Sequence, residues 1–549
     1  MELIRLRRRD LLAGMCAAPW FGLAGCQQAK RLPPAGEIVD TLAGFGHRLR
    51  DGYRPQPADD AWEDVGVLIV GGGVAGLSAA WQFRRQGFED VVVIEMDHDV
   101  GGTSQSTQYG SIAAPWGAHY LPLPMPHQTD LISLLDEMGV LEGRGPNGEP
   151  IAAEQYLVRD PEERIHHDGS WYEGLFLFED ASEDDLRQWK EFHVEVRRWA
   201  DWRDNQGRRA FTIPLSQGSE DPEVTRLDSI TFADWLVEHG WNSPRVRWSL
   251  DYACRDDYCL SVEQTSAWAG LFYYAARLPE AGVKPQPLMT WPEGNGRIVA
   301  HLREQTAGKL RTKTAVTEIR PALQPEESIR VITATEDGQV RGYRAKRIVW
   351  AAPQLLTTRV IHGIAEDADR AAAVKDFQYG AWLVANICLS GRPLNHGFPP
   401  AWDNVFYESR SLGYVVATHQ LGIEYGPTVW TYYFPLCGDN PMADRRWLLE
   451  QSWTTLADFV LSDIEQVHPE IRQLTTRLDI QRWGHGMIRP VPGFVWGRSR
   501  RFAAQPWQGI HFANTDLSGV ALFEEAFDHG IRAARNILAE ISSARSQSS

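Results

Sequence analysis

The sequence predicts an α/β protein, and three observations carry that expectation. VGVLIV, residues 65–70, is a continuous apolar run of the kind a strand needs when both faces of its sheet are covered. It leads through a glycine-rich turn into LSAAWQFRRQG, where Leu77, Ala80, Trp81 and Arg84 recur at helical spacing and Gly87 stops the helix. A second apolar run, VVVIE at 91–95, follows, which makes a βαβ unit of about 30 residues.

Composition fits a large folded chain. The 549 residues are 43% hydrophobic and 23% charged, which excludes a disordered tail, a collagen-like rod and a disulfide-dense miniprotein. A formal net charge of −17 argues against a nucleic-acid partner. No apolar run is long enough to span a bilayer. The 22 tryptophans fit either large apolar clefts or an aromatic-rich core.

Before the first strand the chain reads as an address. Arg5, Arg7, Arg8 and Arg9 precede a short apolar stretch at 11–23, the layout of an export signal. RRRDLL resembles a twin-arginine (Tat) signal for folded export, and LAGC, ending at Cys26, resembles a lipoprotein cleavage box that would make Cys26 the acylated first residue. Cleavage there would remove four arginines and two acidic residues, taking the charge from −17 to −19. These features predict an exported protein anchored in a membrane by lipid on Cys26, with 1–25 as signal and 26–63 as tether and strap.

Beyond the βαβ unit, 150–290 reads as a mainly helical insert. Ser182 with Asp185 forms a capping box ahead of Leu186, Trp189, Phe192, Val196 and Trp199. Thr231 with Asp234 begins a helix that Gly240 ends, Ser243-Pro244 begins another, and Ser261 with Gln264 is expected to cap a fourth. Strand signals return at 310–320, 329–335, 347–352, across 380–437 and at 509–514. Helices are expected at 447–467 and 523–541. Cys254, Cys259, Cys388 and Cys437 form no CxxC pair and read as buried side chains. The histidines within 165–170 lack metal-ligand spacing, so no metal is expected.

The chemistry starts at the turn. Gly71-x-Gly73-x-x-Gly76 lies between strand and helix, where the first glycine makes the turn, the second admits a pyrophosphate and the third lets helix pack on strand. The helix N-terminus offers free N–H groups to phosphates, and Glu95, 19 residues past Gly76, is placed for a ribose hydroxyl. This Rossmann-like pattern alone leaves NAD and FAD both open.

Three further segments accompany it: DVGGTSQS with Gly101-Gly102, WPEGNGRIVAHL followed by RIVWAAP, and the C-terminal GIHFANTDLSGVALFEEAFDHGIRAARNI. Together they resemble the flavin-containing amine oxidase superfamily, which includes monoamine, polyamine and protoporphyrinogen oxidases. The resemblance implies a Rossmann-like FAD-binding domain assembled from 64–125, 285–355 and 480–545. A mixed α+β substrate domain would comprise 126–284 and 356–479. Gly71, Gly72, Gly73, Val74, Ala75 and Gly76 would hold the FAD pyrophosphate, Glu95 the adenosine ribose, and Gly101, Gly102 and Thr103 the middle of the cofactor. Gly117, Ala118, His119 and Trp483 would lie by the flavin ring, Val316 and Ala352 near the adenine side, and Asp516 at the ribityl or phosphate part. An N-cap of the last helix is the other reading of Asp516. That helix would point its N-terminus at a flavin carbonyl and favour the charge of the reduced form.

The sequence departs from the amine oxidases at three points. Thr103 stands where an arginine follows the glycine pair, no lysine occurs in 379–389, where Val384 or a neighbour takes its position, and Val520 or Leu522 replaces an aromatic after Ser518-Gly519, with Phe523 one position away. Arg255 with Asp256 or Asp257 is either a substrate clamp or a structural ion pair. The sequence therefore predicts an exported FAD-dependent oxidoreductase. It would take a hydride from a small-molecule substrate and be reoxidised by oxygen or a membrane-side acceptor. A true amine or polyamine oxidase, and a non-catalytic surface-anchored flavoprotein acting as a binding or assembly factor, are the alternatives.

Overall fold

The computed structural model describes residues 34–39, 43–279, 287–322, 324 and 327–548. The signal motifs and Cys26 lie outside these residues. The chain divides at Pro34, and the unit Ala35–Ser549 contains every element described below.

In chain order the elements that build the site are β1 (Trp62–Val70), α1 (Val74–Arg85), β2 (Val91–Ile94), β3 (Glu163–His167) and β4 (Ser170–Glu173). Four helices follow: α2 (Glu183–Asp201), α3 (Phe232–Glu238), α4 (Pro244–Tyr258) and α5 (Ala267–Ala275). Next come β5 (Leu310–Arg311), β6 (Thr314–Arg320), β7 (Ile329–Thr335), β8 (Val340–Trp350), β9 (Tyr379–Leu389), β10 (Asp403–Phe406), β11 (Tyr414–Val416) and β12 (Thr428–Leu436). The chain closes with β13 (Thr475–Ile488), β14 (Ile510–Phe512) and α6 (Phe523–Ser548).

The first sheet runs β5-β2-β1-β8 in parallel. The C-terminal end of β8 pairs in parallel with β14, and its N-terminal half pairs with the antiparallel β7, which continues to β6. Register brings four strand ends together: Val70 sits beside Ile94 and Trp350, and Trp350 beside Phe512. The chain leaves the sheet there into Gly71, Glu95, Ala351 and Ala513, so the fold concentrates its connections at one carboxyl edge, where ligands bind in such sheets. α1 covers one face and α6 packs over α1. The approach is close, because a Cβ on Gly530 would stand 2.1 Å from the Ala75 carbonyl oxygen. The α/β class and the buried character of 65–70 are as expected.

The second sheet runs β13-β9-β12-β11-β10-β3-β4, antiparallel except for β10 with β3. Here the structure narrows the expected insert: 163–173 is a hairpin of this sheet, and the helices run from α2 to α5. The capping box at Ser182 forms with Asp185, and Thr231 and Ser243 cap α3 and α4 as expected. Such caps are worth about 1 kcal/mol each. The fourth cap is misplaced by the sequence pattern. Gln264 Oε1 does accept from Ser261 N–H, but this closes only a turn, and Ser266 caps α5.

Two other expectations change. The strand at 310–320 breaks at Lys313, whose φ of 53° turns the chain between β5 and β6 at different places in the sheet. The helix at 447–467 is two helices, Pro441–Glu450 and Trp453–Glu465, because Ser452 leaves helical geometry and accepts from Thr455 N–H as an N-cap. Cys254, Cys259 and Cys437 are buried thiols without a disulfide, and Cys388 is half-buried. Among the described residues no helix is long and apolar enough to cross a membrane.

Candidate functional site

A cavity of about 1320 Å³ begins at the carboxyl edge of the first sheet and continues to the second sheet and the helical insert. At its first end the wall is largely backbone. Gly71 has φ +103° and its Cβ would lie 2.9 Å from the Ala351 carbonyl oxygen, so only glycine fits. A Cβ on Gly76 would lie 1.9 Å from the Gly71 oxygen, which explains the third glycine: it seats α1 on the turn. Gly73, at the N-cap of α1, and Gly102 stand beside the cavity with little or nothing in the Cβ direction. The first turn of α1 carries no acidic side chain, so its N–H groups face the cavity uncontested.

Glu95 completes this end. Its Oε2 accepts from Gly72 N–H at 2.7 Å and its Oε1 from Asp97 N–H at 2.7 Å. Burial pushes its pKa up and these backbone bonds pull it down. Each oxygen keeps a lone pair for a further donor. Val74, Ala75, Gly101, Thr103, Val316 and Ala352 also line the cavity. Gly72 and Gly76 stand behind the wall, one orienting Glu95 and one packing α1. Val316 borders a bulge in β6, where the ladder with β7 shifts register.

Asp516 approaches from β14. Its Oδ2 accepts from Gln354 N–H at 2.8 Å and from the Tyr379 hydroxyl at 2.6 Å, and burial raises its pKa to about 6. It does not cap the last helix, which starts at Phe523. Asn514 instead caps the short turn that contains Asp516. Leu522, Phe523 and Glu524, at the start of α6, line the cavity, whereas Val520 is buried in the core of the insert.

The middle and far end are built from side chains. Gly117 O accepts from the Tyr433 hydroxyl at 2.9 Å and lies 3.3 Å from His119 Nδ1. The His119 ring packs among Tyr120, Trp402 and Tyr433, and burial pulls its pKa down to about 4, so it is neutral near pH 7. Trp483 lies opposite Trp382 across β13 and β9, and its Nε1–H donates to Trp116 O at 2.6 Å. Val384 lines the cavity where the resemblance would have put a lysine.

Beyond His119 lies a chamber with Asp256, Asp257, Arg277 and Glu524 on its wall. Arg277 Nη2 lies 3.1 Å from Asp257 Oδ2, and its guanidinium sits over Tyr273 and Tyr120. The expected pairing of Arg255 with Asp256 or Asp257 is therefore corrected. Arg255 bonds Asp251 at 2.9 Å and the Arg410 carbonyl, because the i,i+4 partner lies on its own helix face. Glu524 is only 6% exposed, and burial raises its pKa while its own backbone N–H and the charge of Arg277 oppose the rise. Asp256 is raised to about 7 by burial and by Asp257. Behind it the β3–β10 register sets Glu163 beside Asp403. Burial raises both, with Asp256 adding repulsion, and Glu163 reaches about 8.

The sequence-predicted residues thus gather along one cavity, apart from the two glycines that support its wall. The residues missed by sequence reasoning are Arg277, Glu524, Tyr379, Tyr433, Glu163 and Asp403. For Glu524, Glu163 and Asp403 the sequence signal is that acidic side chains occur in stretches that otherwise read as buried, and Arg277, Tyr379 and Tyr433 carry none. The cavity fits the group that the resemblance implies. Its open glycines and α1 N-terminus suit a diphosphate, and three buried polar atoms on lining residues, Asn295 Oδ1, Trp350 Nε1 and Trp382 Nε1, have no partner among the described residues. Among the described residues no cluster suits a metal ion.

Comparison with known proteins agrees with this geometry. The family described as flavin containing amine oxidoreductase matches residues 74–538. Oxidoreductase PigB of Serratia sp. is 27% identical over 87% of this chain and 76% of its own length. L-amino acid dehydrogenase of Synechocystis sp. is 23% identical over 86% of this chain and 94% of its own. The fold is shared with putrescine oxidase bound to putrescine, at 17% identity and a TM-score of 0.65, covering 87% of this chain and 100% of that one.

Proposed function

This chain belongs to the flavin-containing amine oxidoreductase family, and from that premise we propose that it is an exported enzyme that oxidises a small cationic molecule. It is an FAD-dependent oxidoreductase, so the non-catalytic binding factor drops away. The observation that carries the substrate reading is the cavity itself, which joins the glycine turn to a chamber bearing three carboxylates and one guanidinium.

Bound FAD supplies a two-electron acceptor. In this reading Gly71, Gly73 and the α1 N-terminus hold its diphosphate, Glu95 accepts from ribose hydroxyls, and Asp516, fixed by Tyr379 and Gln354, receives a hydroxyl near the middle. The N-terminus of α6 faces the cavity and favours negative charge there. His119, kept neutral by burial, adds no competing positive charge and can hydrogen-bond substrate or the ring edge. The aromatic rings exclude water and favour a cation, Asp256 and Glu524 supply the countercharge because a bound cation offsets the burial that raises their pKa, and Arg277 with Asp257 holds the chamber in shape.

This favours an amine among the alternatives, although with Val384 in place of lysine. L-amino acid dehydrogenase is similar in sequence and putrescine oxidase in fold, which makes amino acids and diamines sensible probes. Oxygen or a membrane-side acceptor would take the electrons, and Cys26 would carry the lipid anchor. Mass spectrometry of the mature N-terminus tests the anchor, and an unmodified terminus at another residue refutes it. For the reaction, the purified yellow protein is mixed without oxygen with diamines, amino acids and uncharged isosteres. The expected result is bleaching by one or more cations, and bleaching by uncharged compounds alone would refute the reading.

A further inference from the structure

We propose that one end of the second sheet, formed by residues 390–394 and the loop 419–426, rests on a lipid bilayer surface. Four large apolar side chains are turned to solvent there: Leu394 is 76% exposed, Leu421 51%, Ile423 39% and Tyr425 81%. Single exposed apolar side chains are ordinary, whereas several on adjoining segments mark a contact surface. These segments adjoin. β9 ends at Leu389 beside Thr428 of β12 and Thr475 of β13, so the chain on either side of those ends emerges together. Arg392 ties them further, donating to the Ile423 carbonyl at 2.8 Å and to the Thr418 hydroxyl at 2.7 Å. Leu394 N–H donates to Glu470 Oε1 at 2.5 Å.

The chain's own path identifies the occupant. Ala35 pairs with Arg477, two residues from Thr475, so the compact unit begins at this same end of the sheet. Cys26 and Ala35 are nine residue steps apart in the chain. Fully extended, these steps reach at most about 30 Å. A membrane that held Cys26 would therefore lie within reach of the apolar patch, which would fix the orientation of the folded unit on that surface. Charge sets the mode of contact. The chain as a whole is acidic, and at the patch Arg392 faces Glu424, Glu470 holds the Leu394 N–H, and Arg159 packs on Gly422, so the local charges are mixed and anionic headgroups gain little. The contact is apolar insertion at the headgroup boundary, which needs no anionic lipid and resists salt.

The test uses the chain from residue 26 onward with Cys26→Ser, so no acyl group is present and failure of the lipid-anchor reading leaves this test untouched. All described elements but Pro34 lie within Ala35–Ser549. The FAD-loaded protein is sedimented with phosphatidylcholine vesicles at low salt and at about 1 M salt, where the screening length falls to about 3 Å. The expected result is co-sedimentation at both, with slowed amide exchange over 419–426 when vesicles are present. A combined Leu394→Ser, Leu421→Ser, Ile423→Ser and Tyr425→Ser variant, checked for retained yellow colour and unfolding midpoint, should partition at least about tenfold less. Absence of binding by the parent, equal binding by the variant, or binding only to anionic vesicles at low salt overturns the proposal. So does a vesicle-free dimer that the variant abolishes, which would make the patch an interface between copies.

Discussion

At the glycine turn the wall of the cavity is main chain: Gly71, Gly73 and Gly102, the first turn of α1, and one carboxylate, Glu95, held by two N–H groups. At the far chamber the wall is side chains brought from distant stretches: Asp256 and Asp257 from α4, Arg277 from beyond α5, Glu524 from α6, and Tyr433 from the second sheet. The first end has little room to vary, because a Cβ in the wrong place strikes backbone that cannot move. The second can change one residue at a time without disturbing the sheet. The difference teaches where a fold of this kind keeps its shared chemistry and where it keeps its selectivity.

That contrast can be broken by mutation. The largest expected effect is at Gly76→Val. Its Cβ would meet the Gly71 oxygen at 1.9 Å, so FAD retention in the purified protein should fall more than about a hundredfold. A protein that stays yellow would refute the packing account of this end. Next come Glu524→Gln and Asp256→Asn, which remove countercharge while keeping shape. The KM for a cationic substrate should rise at least about tenfold with FAD content unchanged. Equal effects on cationic and uncharged substrates would refute the electrostatic role. Glu95→Gln should weaken FAD binding by about five- to tenfold, because an amide accepts less strongly and cannot take both backbone N–H groups. Unchanged affinity, measured by titration of the apoprotein, would remove the ribose assignment.

How legible these ends were follows from the same contrast. The glycine spacing, Glu95 and the buried runs at 65–70 and 91–95 are local patterns, and they announced the first end. Asp516 was found through its place in the C-terminal segment, but its partner Tyr379 was not, because 137 residues separate them. The chamber was hardest to read. Arg255, Asp256 and Asp257 are adjacent in sequence and look like one cluster, yet a helix turns Arg255 toward Asp251 and leaves Asp257 to Arg277. Glu163 and Asp403 meet only because β3 and β10 pair in register. Where elements broke unexpectedly, at Lys313 and Ser452, a left-handed residue and a side-chain cap overrode the periodic pattern.

The smallest expected effect concerns stability and pH. Burial raises the Glu163 pKa from 4.5 to about 8, so the folded state binds this proton more tightly than the unfolded chain. Stability from this group is therefore complete below about pH 4.5 and is lost as pH rises to about 8. Glu163→Gln removes that loss. Its unfolding midpoint should match the parent near pH 4 and exceed it near pH 8, and a gain at pH 4 alone would contradict the burial account. His119 acts with the opposite sign. Its pKa of about 4 means that acidification from 6.5 downward costs stability.

The most direct measurement is the visible spectrum of the purified protein during anaerobic addition of a cationic amine series and its uncharged isosteres. A flavin spectrum that is bleached by cations and untouched by isosteres is the predicted outcome. A colourless protein that refuses added FAD, or bleaching indifferent to substrate charge, would contradict the claim that one cavity joins the cofactor's diphosphate site to an acidic chamber.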